Sequence, residues 1–102
     1  MRRAMLLVVC VLAATPCLAQ DAGALATRSL AATCATCHGT DGRPVPGTRI
    51  AELAGQPREP LLERLRAFRA GTRESTVMHQ IARGFSDAQL EQLAAYFAAQ
   101  KK

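Results

Sequence analysis

The sequence predicts an all-α fold of about four helices and long loops. Three observations carry this. Apolar residues recur at helical spacing in "REPLLERLRAFRAG" and in "SDAQLEQLAAYFAAQ". Helix punctuation brackets both runs: Pro60 and Gly71 on the first, Ser86 on the second. No stretch alternates apolar and polar residues with the period of two that a strand requires.

Taken in order, "DAGALATRSLAAT" is Ala-rich and reads as a helix leading into Cys34, with Leu25, Ala26 and Leu30 as its inner residues. From Gly39 to Gly47 the run "GTDGRPVPG" holds three glycines and two prolines in nine residues, a loop with no room for regular structure. Pro60 then fits the first turn of a helix, Leu61, Leu62, Leu65 and Phe68 form its apolar stripe, and Gly71 stops it. A short helical turn covers "TVMHQIAR" and ends at Gly84. Ser86 caps the last helix, with Gln89 three residues on as its capping-box partner. Leu90, Leu93, Ala94 and Phe97 follow at i, i+3, i+4 and i+7. There is no internal repeat or low-complexity run.

The first residues read as a leader. Arg2 and Arg3 precede the apolar run "AMLLVVCVLAA", Pro16 breaks it, and a small residue stands before a cut after Ala19. Residues 1–19 are thus expected to be a cleaved signal peptide and 20–102 the domain, exported to the periplasm. The apolar run is short for a membrane span, so no stable membrane insertion is expected. An ordinary core helix is a weaker reading, because the Arg-Arg start and the small-residue cut site agree, and so is a lipoprotein acylated at Cys17, because Pro16 sits where a small flexible residue is wanted. Cleavage removes Cys10 and Cys17, leaving Cys34 and Cys37. Losing Arg2 and Arg3 takes 13 basic residues to 11 against 8 acidic ones, a net of +3. These cations are scattered rather than clustered with aromatic platforms, which argues against a nucleic-acid partner. With three phenylalanines, one tyrosine and no tryptophan the core is thin, and a chain of this size needs a staple, metal or cofactor.

The run "CATCH", Cys34 to His38, supplies one. Cys-x-x-Cys-His is the attachment pattern for c-type haem. Each thiol can add to one vinyl group, the three-residue step matches the vinyl separation on a helical turn, and His38 follows as proximal iron ligand. A redox dithiol would expect a strand before it and βαβ context. Zinc would need a second ligand pair, and His79 is the only other histidine. A disulfide between Cys34 and Cys37 is the plainest alternative. For a sixth ligand, Met78 is the only methionine left after leader removal, 40 residues beyond His38. Its thioether is soft and neutral and favours Fe(II). A lone methionine is by default a core residue; the haem pattern reverses that default. His79 is the runner-up, pointing some 100° away on a helical turn.

On these residues the chain resembles a class I cytochrome c from about Ala26 to Lys102: a helix, "CATCH", a Gly-Pro loop, middle helices, a methionine and the "LAAYF" helix. The resemblance implies that the first and last helices cross closely. It also implies a small residue eight before the first cysteine, which is Ala26, and an aromatic four before it, where Leu30 stands instead. Tyr96 and Phe97 match the aromatic side of the last helix. A proline carbonyl that bonds the proximal histidine ring is often found two residues before the "LAGQ" leucine. Ala51 stands there, so Pro46, or else Pro44, is expected to serve. Arg43 and Arg49 are candidates for meeting a haem propionate.

Within the family, "LAGQP", "LLERLRAFRAGTR" and "GFSDAQLEQLAAYFAAQ" are similar both to cytochrome c4-type domains and to the cytochrome subunit of flavocytochrome c sulfide dehydrogenase. "STVMHQIARGFS" leans to the latter. The resemblance implies a monohaem electron-transfer protein, itself no enzyme, that accepts electrons from a sulfide-oxidising flavoprotein subunit. A free-standing carrier like cytochromes c4 and c5, serving a terminal oxidase or reductase, is the alternative. An open-iron haem enzyme or sensor would require Met78 to be absent from the iron.

Overall fold

Helix α5, Asp87–Ala98, carries the largest share of the buried core. The computed structural model describes residues 22–102, so the expected leader, its cut after Ala19 and the acylation reading at Cys17 lie outside the described residues. The described residues form α1 (Ala22–Ala32), α2 (Ala35–His38), a 3-10 turn (Thr40–Gly42), α3 (Arg58–Ala70), α4 (Met78–Arg83) and α5, with no strand among them. None of these helices is long and apolar enough to cross a membrane. The sequence reading of an all-α chain holds, with two short helical turns more than expected, α2, which stands apart from α1, and the 3-10 turn after it.

α5 begins as a capping box: Gln89 N–H donates to Ser86 Oγ at 3.2 Å, and Ser86 N–H donates to Gln89 Oε1 at 2.9 Å. Both orphan donors are thereby satisfied at the helix start. Its stripe of Leu90, Leu93, Ala94 and Phe97 is buried, Leu90 and Ala94 completely. Leu61 and Leu62 of α3 and Ala31 of α1 close over that stripe, with Leu65, Phe85 and Tyr96 at the margin. Fully burying one such leucine contributes about 1.5–3 kcal/mol, so seven buried side chains make a small core.

α1 departs from the expected face. Leu25 is 53 % exposed and Ala26 is exposed, whereas Ala31 is buried and Thr27, Leu30 and Cys34 are half-buried. The inner stripe is therefore Thr27, Leu30, Ala31, Cys34, which is the i, i+3, i+4, i+7 pattern started one residue later. A threonine at its head hides it from a hydrophobicity reading; the Thr27 hydroxyl is satisfied by donating to Gly23 O at 3.0 Å. α1 does pack on α5, with Leu30 and Ala31 joining the core cluster of the last helix.

The loop between the 3-10 turn and α3 lacks helix or strand yet is braced along its length. Leu53 and Ala54 N–H both donate to Gly42 O, at 2.8 and 3.1 Å, and Gly55 N–H donates to Phe97 O at 2.9 Å. Main-chain groups that secondary structure would pair are paired across the fold instead. At the other end of the core, Arg66 reaches from α3 to Asp87 and Glu91 of α5, and Arg69 adds a second cation to Asp87. Asp87 sits in the first turn of α5, where the helix dipole also favours an anion.

Candidate functional site

α1 ends where Thr33 and Cys34 N–H turn back onto Leu30 and Ala31 carbonyls, and the chain re-enters helix one residue later. His38 N–H then donates to Cys34 O at 2.9 Å, and Gly39 N–H to Ala35 O at 2.9 Å. This turn puts Cys34 and Cys37 on one side, since residues three apart on a helix are neighbours. Both are free thiols rather than partners in a disulfide; Cys34 is half-buried and Cys37 exposed. Burial pushes the Cys34 thiol up, with the Thr33 hydroxyl opposing in part.

The His38 ring is held from outside the motif. Its Nδ1 lies 2.7 Å from the carbonyl oxygen of Ala51. A carbonyl can only accept, so Nδ1 donates the proton, and in the neutral ring Nε2 is then the nitrogen with the free lone pair. A backbone carbonyl on one ring nitrogen is the usual way a metal-binding histidine is oriented. The expectation that Pro46 or Pro44 supplies this carbonyl is therefore corrected: Ala51 does. What reaches the imidazole is a main-chain oxygen, which alanine has as well as proline, so the family position is kept although its side chain differs.

Gly39 and Gly42 fix how the chain leaves the motif. At Gly39, with φ +79°, a Cβ would stand 1.8 Å from Arg43 O. At Gly42 it would meet Leu53 Cβ at 2.8 Å and Phe97 Cδ1 at 2.9 Å. Between them Asp41 adopts the left-handed region, φ 55°, and its carboxylate accepts the Tyr96 hydroxyl of α5. The run expected to be free of regular structure thus contains a 3-10 turn tied to the last helix. Tyr96 and Asp41 form the contact the sequence reading missed. The available signal was "TDG": aspartate tolerates the left-handed region better than most residues.

Met78 is the first residue of α4 and half-buried, and α4 rests chiefly on α3. The structure thus gathers Cys34, Cys37 and His38 in one turn and carries Met78 on a separate element. His79 is engaged by Ser75, whose Oγ lies 3.0 Å from His79 Nδ1. Arg43 is also engaged, donating through Nε to Lys101 O at 2.8 Å and pairing with Asp41 at 3.7 Å. Arg49 is exposed and, among the described residues, makes no ion pair.

These residues suit a porphyrin iron. The large exposed aliphatics Val45 (70 %) and Ile50 (42 %) lie in the loop leading to Ala51, and Val77 (51 %) and Ile81 (43 %) flank Met78. These are large apolar side chains left in solvent on the loop that supports His38 and on the segment that carries Met78, and a flat, mostly apolar group could cover such side chains. The donor set is a neutral imidazole nitrogen and a thioether. Among the described residues no group of three or more His, Cys, Asp or Glu side chains converges to hold a metal ion, which leaves the zinc reading without a ligand set.

Comparison with known proteins agrees with this chemistry. The family model "Cytochrome c" matches residues 24–101. The chain belongs to the cytochrome c family, and haem c, the family's covalent cofactor, is its cofactor. It is 40 % identical over 68 residues to the thiosulfate dehydrogenase electron acceptor of Thiomonas intermedia, covering 67 % of this chain and 31 % of that protein. It is 40 % identical over 85 residues to cytochrome c4 of Pseudomonas aeruginosa, covering 82 % of this chain and 42 % of the relative. The cytochrome subunit of sulfide dehydrogenase from Chlorobaculum tepidum is 37 % identical over 68 residues, 67 % of this chain and 60 % of its own length. The chain spans less than half the length of the first two relatives.

Proposed function

We propose that this chain is a periplasmic monohaem electron carrier in which Cys34 and Cys37 hold the haem as thioethers, His38 is the proximal ligand and Met78 the distal one. The observation that carries the reading is the Ala51 carbonyl on His38 Nδ1, which presents Nε2 as a lone-pair donor beside two free thiols. When bound, haem c supplies a one-electron Fe(III)/Fe(II) couple. The chain's contribution is to keep its ligands still. His38 is locked by Ala51, the motif turn by Gly39 and Gly42, and the start of α4 by Ser75. With ligands fixed in both oxidation states, little has to rearrange when an electron passes. The test is Met78→Ala in the haem-loaded protein: the sulfur-to-iron charge-transfer band should vanish and the reduction potential fall. A variant with the band and potential of the parent would remove Met78 from the iron.

The donor we propose is a sulfide-oxidising flavoprotein, with this chain as its haem subunit. Support comes from the relative in Chlorobaculum tepidum and from the "STVMHQIARGFS" run that contains α4. Co-purification with a flavoprotein and haem reduction on adding sulfide are the expected results. The relatives named cytochrome c4 and thiosulfate dehydrogenase electron acceptor favour a second reading, a carrier that moves between partners. A haem protein that purifies alone, and that sulfide reduces no faster than a generic donor, would decide for the second.

A further inference from the structure

Helix α4 starts in an unusual way. Val77 occupies its N-cap position and has no side-chain group that can accept a hydrogen bond. Gln80 and Ile81 N–H turn back to the Val77 carbonyl at 2.9 and 3.1 Å. The His79 N–H goes elsewhere, to Ser75 Oγ at 2.9 Å, and the same hydroxyl hydrogen-bonds His79 Nδ1 at 3.0 Å. Ser75 is half-buried, while Thr76 and Val77 after it are exposed. At six residues α4 is too short to keep its shape unaided, so its first turn depends on what is attached to it.

The segment that brings Ser75 there is itself anchored. Gly71 takes the left-handed conformation that ends α3, and Thr72 and Arg73 N–H both donate to Ala67 O, at 3.0 and 3.3 Å. The Arg73 guanidinium lies 5.4 Å from the centre of the Phe68 ring. From this fixed base the Ser75 hydroxyl clamps the residue next to Met78, through both its main chain and its side chain.

We propose that Ser75 is a positioning residue for the Met78 thioether, and that its hydroxyl sets how well this ligand resists displacement. The inference rests on the reading of Met78 as the distal ligand. A neutral thioether is a soft donor and a poor match for Fe(III), so in the oxidised protein its hold depends on the scaffold that presents it. Removing the Ser75 hydroxyl strands the His79 N–H and frees the first turn of α4, and with it the direction of Met78.

The experiment titrates oxidised, haem-loaded protein with free imidazole and follows loss of the sulfur-to-iron charge-transfer band. Ser75→Ala should show the band without imidazole but lose half of it at a concentration roughly three- to tenfold lower than the parent, the size of a lost helix cap. Ser75→Thr keeps the hydroxyl and should stay close to the parent. Ser86→Ala removes the cap of α5, a comparable loss remote from Met78, and should leave the imidazole midpoint where it was. Equal midpoints for Ser75→Ala and the parent would overturn the proposal, and so would a fall in Ser86→Ala as large as in Ser75→Ala, which would mark general loosening. An unaltered band in Met78→Ala would instead sink the ligand assignment, and the role of Ser75 with it.

Discussion

His38 Nδ1 and the Ala51 carbonyl oxygen stand 2.7 Å apart, joining the end of the motif turn to a loop residue 13 positions on. The Ala51 side chain takes no part, and among the described residues no hydrogen bond involves the Ala51 N–H. Ala51→Pro should therefore keep the ring oriented. The visible spectrum and the reduction potential are expected to match the parent, measured by redox titration of the haem-loaded protein. A clear drop in potential would show that the carbonyl had been moved.

Of the two glycines that fix the chain's exit from the motif, Gly39 leaves less room for a side chain. A methyl group there would lie 1.8 Å from the Arg43 carbonyl, and φ +79° is strained for any L side chain besides. Gly39→Ala should cost roughly 3 kcal/mol or more, because main-chain atoms on both sides have to shift. The measurement is the yield of haem-stained protein and its urea midpoint; parental values for both would contradict the geometry.

Tyr96 donates to Asp41, and that carboxylate, followed by burial, raises the phenol above its usual value of 10.0. A raised folded value means the stabilisation is present below the unfolded value and is lost as pH climbs through the folded one. Tyr96→Phe should lower stability by about 1–2 kcal/mol at neutral pH, with the gap from the parent closing well above pH 10. Urea unfolding at neutral and strongly alkaline pH checks both parts.

Asp87 responds in the opposite direction. The Arg66 hydrogen bond, with Arg69 behind it, outweighs desolvation and holds its carboxyl well below the usual 3.8. A lowered folded value gives stabilisation that is full above the unfolded value and lost as pH falls through the folded one. The side chain is 48 % exposed, so solvent screens much of the effect. Asp87→Asn should lower the melting temperature by only a few degrees at neutral pH and low salt. That difference should shrink below about pH 4 and also in molar salt.

The last helix was legible because each of its signals agreed: the Ser86–Gln89 box and the stripe from Leu90 to Phe97 appear as read. α1 was misread because Thr27 heads its buried face and a hydroxyl counts as polar, although the backbone satisfies it. The glycine-proline run was read as unstructured because what braces it comes from distant residues: Gly42 O accepts from Leu53 and Ala54 N–H, and the Asp41 carboxylate from the Tyr96 hydroxyl. No local pattern encodes such partners.

By itself the sequence determined the helical class, the core stripe of α5, and a Cys-x-x-Cys-His turn whose chemistry calls for a haem. These depend on spacing along the chain, which 3.6-residue periodicity and a three-residue step fully express. Only the tertiary structure decided that Ala51 rather than a proline orients His38, that Tyr96 holds the left-handed Asp41, and that Ser75 clamps the start of α4. Each of these is a hydrogen bond whose acceptor is chosen by where folding brings an oxygen atom. A main-chain carbonyl carries no mark of that choice in the residue that bears it.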